Sequence, residues 1–280
     1  MANILLVANL NCDRIFLLNH PLKPGGRFHY KDGGQRLGGG GANTGIGLVW
    51  ARHQVSLVTE VGRDKVGDWL IAEASTQGIN CSQIQRRAGN TCEMLLMMTP
   101  DGERTIIRPE RPKFELPLPP NWKNVDALYI NSSTEGAASW SKTAMSHCLV
   151  LAQLAKDQRA RPCHVLIASL SDMQGRCNGD PWKFAQAVAG KNLKYFVVTD
   201  GEHGATAYSE NDPIHVAAVP SQVVDTTGAG DAYAAGLIHG LVSQQTMFES
   251  MQEAAVWSGF AVACNSSIPG KGLKQHLSPE

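Results

Sequence analysis

The segment Val224-Asp225-Thr226-Thr227-Gly228-Ala229-Gly230-Asp231-Ala232-Tyr233-Ala234-Ala235-Gly236 sets a Gly-Ala-Gly loop directly before a helical stretch. The first N–H groups of a helix lack internal partners and carry positive partial charge. Glycine lets the backbone come close to a ligand. Gly228, Ala229 and Gly230 therefore make an anion site of the kind that takes phosphate. Asp231 falls in the first helical turn, beside an anion that its own charge would otherwise repel. The positive end of the helix predicts a carboxyl held below the usual carboxylate range. A purely structural reading exists too, because Asp is favoured at helix N-termini and Gly-Ala-Gly can be a plain loop. The small residues Ala232, Ala235, Gly236 and Gly240 predict close packing of this helix against a neighbour.

A second glycine-rich segment, Gly38-Gly39-Gly40-Gly41-Ala42-Asn43-Thr44-Gly45, also precedes a helical stretch. It contains no G-x-G-x-x-G register, and no G-x-x-x-x-G-K-[ST] occurs, so neither a dinucleotide fingerprint nor a P-loop is present. Its glycines suit a backbone wall against a polyhydroxylated ligand, with the Asn43 amide offering both a donor and an acceptor. A flexible loop is the competing reading. A third segment, Thr199-Asp200-Gly201-Glu202-His203-Gly204, lies at a strand end, where open α/β sheets bind ligands.

Apolar runs at 3–9, 54–61, 125–131, 163–169 and 194–199 predict strands. Helical stretches are expected at 42–52, 65–77 (capped by Asp64), 138–156, 181–190, 229–243 and 247–264. This alternation predicts a mostly parallel sheet covered on both faces. The pieces at 12–35, and the hairpin 92–108 around Pro100-Asp101-Gly102, break the rhythm and read as a small separate sheet acting as a lid. The 280 residues suit one such domain, spanning 1–280.

Lys plus Arg equals Asp plus Glu at 25 each, so nothing in the charge balance favours nucleic acid or an anionic membrane as partner. No apolar run approaches the roughly 18 residues of a membrane span. The start Met1-Ala2-Asn3 lacks the basic region of a signal peptide. Seven scattered cysteines without C-x-x-C fit reduced cytoplasmic thiols.

Taken in order, these segments resemble the PfkB/ribokinase family of sugar and nucleoside kinases. Asp225 to Asp231 matches the family's C-terminal motif in full. Gly38 to Gly62, with Val61-Gly62-Arg63-Asp64 and Gly67, is similar to its N-terminal motif, Asn11-Cys12-Asp13 to its early N-x-D, and Asp101-Gly102-Glu103-Arg104 to its lid hairpin. The resemblance implies a three-layer α/β/α domain with a β-sheet lid, paired as a homodimer through that lid. It implies ATP and Mg2+ as cofactors and a small sugar as acceptor. Asp231 would be the base, with Gly228, Ala229 and Gly230 as anion hole. Asn11, Asp13, Gly39, Gly40, Asn43 and Asp231 would bind the sugar; Thr199, Gly201, Gly204, Thr227, Gly228 and Gly230 would bind the nucleotide. Asp225 and Thr227 lie where many members hold a monovalent cation, which makes K+ a candidate cofactor.

The chain departs from the pattern in three places. Gly40 stands where ribokinase-like members often carry Lys. No N-x-x-E, the motif tied to magnesium, occurs between 132 and 199, and that stretch is short enough to predict a missing or replaced element; Asp172, Asp180 and Glu202 are the candidate substitutes. Thr91 is followed by Cys92, where phosphosugar members tend to place Arg, which favours an unphosphorylated sugar. A nucleoside kinase, a phosphosugar kinase, or a catalytically weakened regulatory binder are the alternatives.

Overall fold

The computed structural model describes residues 1–266 and 268–278. The first half contains β1 (Asn3–Ala8), β2 (Asn11–Leu18), β3 (Tyr30–Gly38), α1 (Gly40–Trp50), β4 (Gln54–Val58), β5 (Glu60–Gly62), α2 (Lys65–Thr76), β6 (Gln85–Arg87), β7 (Glu93–Met98), β8 (Arg104–Ile107) and β9 (Ala127–Asn131). The second half contains α3 (Ala137–Ala144), β10 (Leu149–Gln153), β11 (Val165–Ser169), α4 (Leu170–Met173), α5 (Pro181–Ala189) and β12 (Tyr195–Thr199). It closes with β13 (Ala205–Tyr208), β14 (Ile214–Val216), α6 (Ala229–Val242), α7 (Met247–Val262) and α8 (Lys271–Leu277).

β1 shows why the sheet is central. Ile4, Leu6 and Ala8 join one core and Leu5 and Val7 the other, so the strand is apolar on both faces, as a doubly covered parallel strand must be. It pairs in parallel with β4 and with β9. The full order is β14-β13-β12-β11-β10-β9-β1-β4, parallel except where β13 runs against β12 and β14. Helices α1, α2, α6, α7 and α8 feed the first core, and α3, α4 and α5 the second. The molecule is therefore a three-layer α/β/α sandwich. A four-stranded sheet, β3-β2-β7-β8, forms the lid.

One expected helix is corrected. The stretch read as helical over 138–156 is helical only to Ala144; Leu149–Gln153 is strand β10, in register between β9 and β11. The run Leu-Val-Leu-Ala-Gln is short and apolar, which periodicity cannot divide between buried helix and buried strand. The same correction removes the expected missing element: the sheet has its strand between β9 and β11. The run 54–61 also divides at Thr59 into β4, in the main sheet, and β5, which pairs with β6.

The Val61-Gly62-Arg63-Asp64 motif roots the lid. The Asp64 carboxylate caps α2 through Gly67 N (2.8 Å) and accepts from Thr91 N (2.8 Å) and Thr91 Oγ1 (2.6 Å), just ahead of lid strand β7. A Cβ on Gly62 would lie 2.4 Å from Thr91 N, so only glycine lets the two segments meet.

Candidate active site

The glycine run after β3 brings the site together. Each residue from Gly38 to Gly40 abuts a different functional group. A Cβ at Gly38 would lie 2.5 Å from Asp13 Oδ2; at Gly39, 2.5 Å from Asn9 O and 3.0 Å from the Asn11 side chain; at Gly40, 2.5 Å from Asn131 Nδ2 and 3.2 Å from Asp231 Oδ1. Gly39 has φ +88°, a conformation L side chains rarely adopt. Three backbone positions without side chains thus let Asp13, Asn11 and Asp231 share one wall.

Asp231 sits in the first turn of α6, as expected. Asn43 Nδ2 donates to its Oδ2 at 2.8 Å and Asn131 Nδ2 to its Oδ1 at 2.9 Å. Thr44 Oγ1 donates to its backbone carbonyl at 3.3 Å. Asn43 comes from α1 and Asn131 from the C-terminal end of β9, so two elements each hold one oxygen of the carboxylate. Burial in this walled corner lifts the Asp231 carboxyl above its ordinary value, and the two amides pull it back. This corrects the expectation of a lowered pKa: desolvation outweighs the two hydrogen bonds that favour the charged form. Asn131 escaped the sequence reading, although a polar residue ending a buried strand was a signal that could have found it.

Gly228 takes the left-handed conformation (φ +79°) and caps α6. Ala229 N turns back to Thr226 O at 3.3 Å. The first-turn N–H groups of Gly230 and Asp231 precede any i−4 carbonyl within the helix. A Cβ at Gly230 would meet nothing within 4 Å, so space adjoins the turn.

That space is a cavity of about 530 Å³. Thr199, Gly201 and Gly204 line it together with Thr226, Ala229 and Gly230, and Val219, Val223 and Val262 supply apolar walls. The first and third glycine segments read from the sequence thus face one chamber, with Thr227 and Gly228 outside its lining; the valines came from segments without a motif. Gly204 has a further packing role, since a Cβ there would lie 2.1 Å from Val216 O. Of the three carboxylates considered as magnesium substitutes, Glu202 lines this cavity. Asp180 is committed to capping α5, and Asp172 contacts Lys156.

On the acceptor side, Asp13 is buried with Arg36 Nε 3.7 Å from its Oδ2. Burial raises the Asp13 carboxyl and Arg36 counters it. Asn11 Oδ1 accepts from Arg111. Arg36 Nε and Asn43 Oδ1 are buried without a hydrogen-bond partner among the described residues.

Asp225 and Thr227 are adjacent, but not around an open cation seat. Asp225 Oδ1 accepts from Thr227 N (2.8 Å) and Thr227 Oγ1 (2.6 Å), and Arg104 Nη1 donates to both Asp225 oxygens at 2.7 Å. The pair as it stands does not fit the expected monovalent ion, because a guanidinium already occupies the carboxylate.

A model of the pfkB family carbohydrate kinases matches residues 1–271. The chain belongs to this family. Its members are carbohydrate kinases, and so is this chain. Among relatives, a 5-dehydro-2-deoxygluconokinase of Geobacillus kaustophilus is 25% identical over 275 residues, 83% of this chain and 82% of that protein. A fructokinase of Solanum tuberosum is 25% identical over 252 residues, 82% and 79% of the two chains. Among solved structures, a Thermotoga maritima ribokinase superposes with TM-score 0.84 at 20% identity, covering 99% of each chain. An Arabidopsis thaliana ribokinase complexed with ribose and ATP superposes with TM-score 0.80 at 19% identity, again covering 99% of each. The pfkB kinase fold is thus present from lid to last helix, and among the described residues no helix is long and apolar enough to cross a membrane.

Proposed function

We propose that this pfkB-family kinase transfers the γ-phosphate of ATP to a hydroxyl of a small, unphosphorylated sugar. Asp231 acts as the base, and the turn Gly228-Ala229-Gly230 receives the phosphate. The observation that carries the reading is the placement of Asp231. It is clamped by two amides, directly follows Gly230, which lines the chamber, and lies against Gly40 of the glycine run that also abuts Asn11 and Asp13.

Phosphoryl transfer passes through a loose transition state, so catalysis consists mainly of positioning and charge stabilisation. The open N–H groups at the start of α6 would meet the migrating phosphoryl. Asp231, with a raised pKa, is a stronger base than an ordinary aspartate and takes the hydroxyl proton as the oxygen bonds to phosphorus. Thr199, Gly201, Gly204 and Thr227 would seat the nucleotide, and the valines its base. Asn11, Asp13, Gly39, Gly40 and Asn43 would bind the sugar. Magnesium is held largely by phosphate oxygens and water in such sites, so it would arrive with the nucleotide. The lid would close over the acceptor and exclude water. Leu17, Tyr30 and Ile107, exposed on lid strands, support pairing of two chains through that sheet, which light scattering of the wild type and of Tyr30→Asp would test.

ATP consumption against a panel of pentoses, hexoses, phosphosugars and nucleosides tests the reading. Turnover on a neutral sugar is expected, reduced roughly 10²–10⁴-fold in Asp231→Asn with nucleotide binding retained. Near-wild-type turnover in that variant would refute Asp231 as the base. Binding of sugar or ATP with no turnover on any acceptor would make the chain a regulatory binder instead.

A further inference from the structure

We infer that the Arg104 guanidinium stands in for the monovalent cation, so that this kinase works without K+ and takes the missing charge from its own lid. The inference rests on the kinase reading and names a positioning residue within it. Arg104 opens lid strand β8, 121 positions before its partner in the chain. Its Nη1 lies 2.7 Å from both oxygens of Asp225, and the two side chains are only 20% and 10% exposed. A carboxylate offers about four lone-pair sites. Asp225 accepts three hydrogen bonds on Oδ1, from Arg104, Thr227 N and Thr227 Oγ1, and one on Oδ2, from Arg104, so Oδ1 is saturated and Oδ2 is shared with the guanidinium. A metal ion at this carboxylate must either displace the guanidinium or sit against its charge.

Arginine stays charged at any working pH. The guanidinium therefore supplies permanently what a dissolved cation supplies only when bound: a positive neighbour that neutralises Asp225 and fixes the turn through Thr227. That turn runs directly into Gly228, whose left-handed backbone starts α6 and aims the phosphate-facing N–H groups. Because Arg104 belongs to the lid, the charge is in place only when the lid is seated. Lid closure and the geometry of the anion hole become one event, whereas a free ion would leave them independent.

The test compares chloride salts of potassium, sodium and choline at one ionic strength. It reads kcat/KM with the best acceptor and, separately, calorimetric affinity for a non-hydrolysable ATP analogue. Wild type is expected to vary less than about twofold among the salts in both. Arg104→Gln is expected to lose at least tenfold in choline and to recover threefold or more in potassium; Arg104→Lys should keep cation independence. Potassium stimulation of wild type by fivefold or more overturns the inference. So does an Arg104→Gln variant that is indifferent to the cation, or impaired without rescue. The binding measurement needs no acceptor, so a chain that failed to turn over any sugar would sink the kinase reading while still deciding the role of Arg104.

Discussion

Removing the Asn131 amide tests the mechanism most directly, because that amide donates to Asp231 itself. Asn131 Nδ2 donates to Asp231 Oδ1 at 2.9 Å, in a corner where burial already pushes the carboxyl upward. A hydrogen bond to a charged group is worth about 1.5–3 kcal/mol, and one pH unit corresponds to about 1.4 kcal/mol. Asn131→Ala takes that stabilisation from the ionised form alone, so the Asp231 pKa should rise by about 1–2 units. Activity requires the carboxylate, so it rises with pH through this group, and the acid limb of kcat/KM should move upward by the same amount. Above the limb, the rate should stay within about tenfold of wild type, since base and anion hole are both still present. The assay is ADP release at saturating ATP from about pH 5 to 9. Asn43→Ala, which removes the 2.8 Å bond to Oδ2, should move the limb in the same direction. A limb that stays in place while the plateau falls would refute the argument, because the titrating base would then not be the group that the amides hold.

Gly40→Ala and Gly230→Ala should part company. The first puts a methyl 2.5 Å from Asn131 Nδ2 and should cost about 10²-fold in kcat by displacing the clamp, with circular dichroism confirming a folded chain. The second meets no protein atom and should keep or slightly raise the melting temperature, while raising KM for ATP where phosphate must approach the helix. Acid should weaken the fold through His53, which is buried, accepts from Ala2 N at 3.1 Å on Nδ1 and donates from Nε2 to His239 Nδ1 at 2.9 Å. Burial lowers its pKa to about 4, so the stability of the neutral ring is complete above about pH 6.5 and is lost as pH falls toward 4. The loss amounts to up to roughly 3 kcal/mol; urea midpoints at pH 7 and 4.5 should fall accordingly in wild type and less steeply in His53→Gln, and equal slopes would refute it.

Much of the candidate site was legible because its backbone geometry is set by contiguous residues. A helix start with Gly-Ala-Gly in front of it exposes amides wherever it folds, so Gly228 to Asp231 could be read as an anion site from local rules alone. The same holds for Asp64 as a cap and for the hairpin at Pro100-Asp101-Gly102. Strand β10 was not legible, because four apolar residues and a Gln carry no period that separates strand from helix; its pairing with both β9 and β11 settles it.

Order along the chain and backbone chemistry were thus sufficient for the α/β class, the lid and the glycine turn that opens α6, since these depend on neighbours a few residues apart. Three things depended on groups brought together from afar: the upward pKa of Asp231, the Asn43–Asn131 clamp across 188 and 100 positions of sequence, and the Arg104–Asp225 pair. Desolvation and charge pairing are properties of what surrounds a group in space. No local rule contains them until the fold has closed around it.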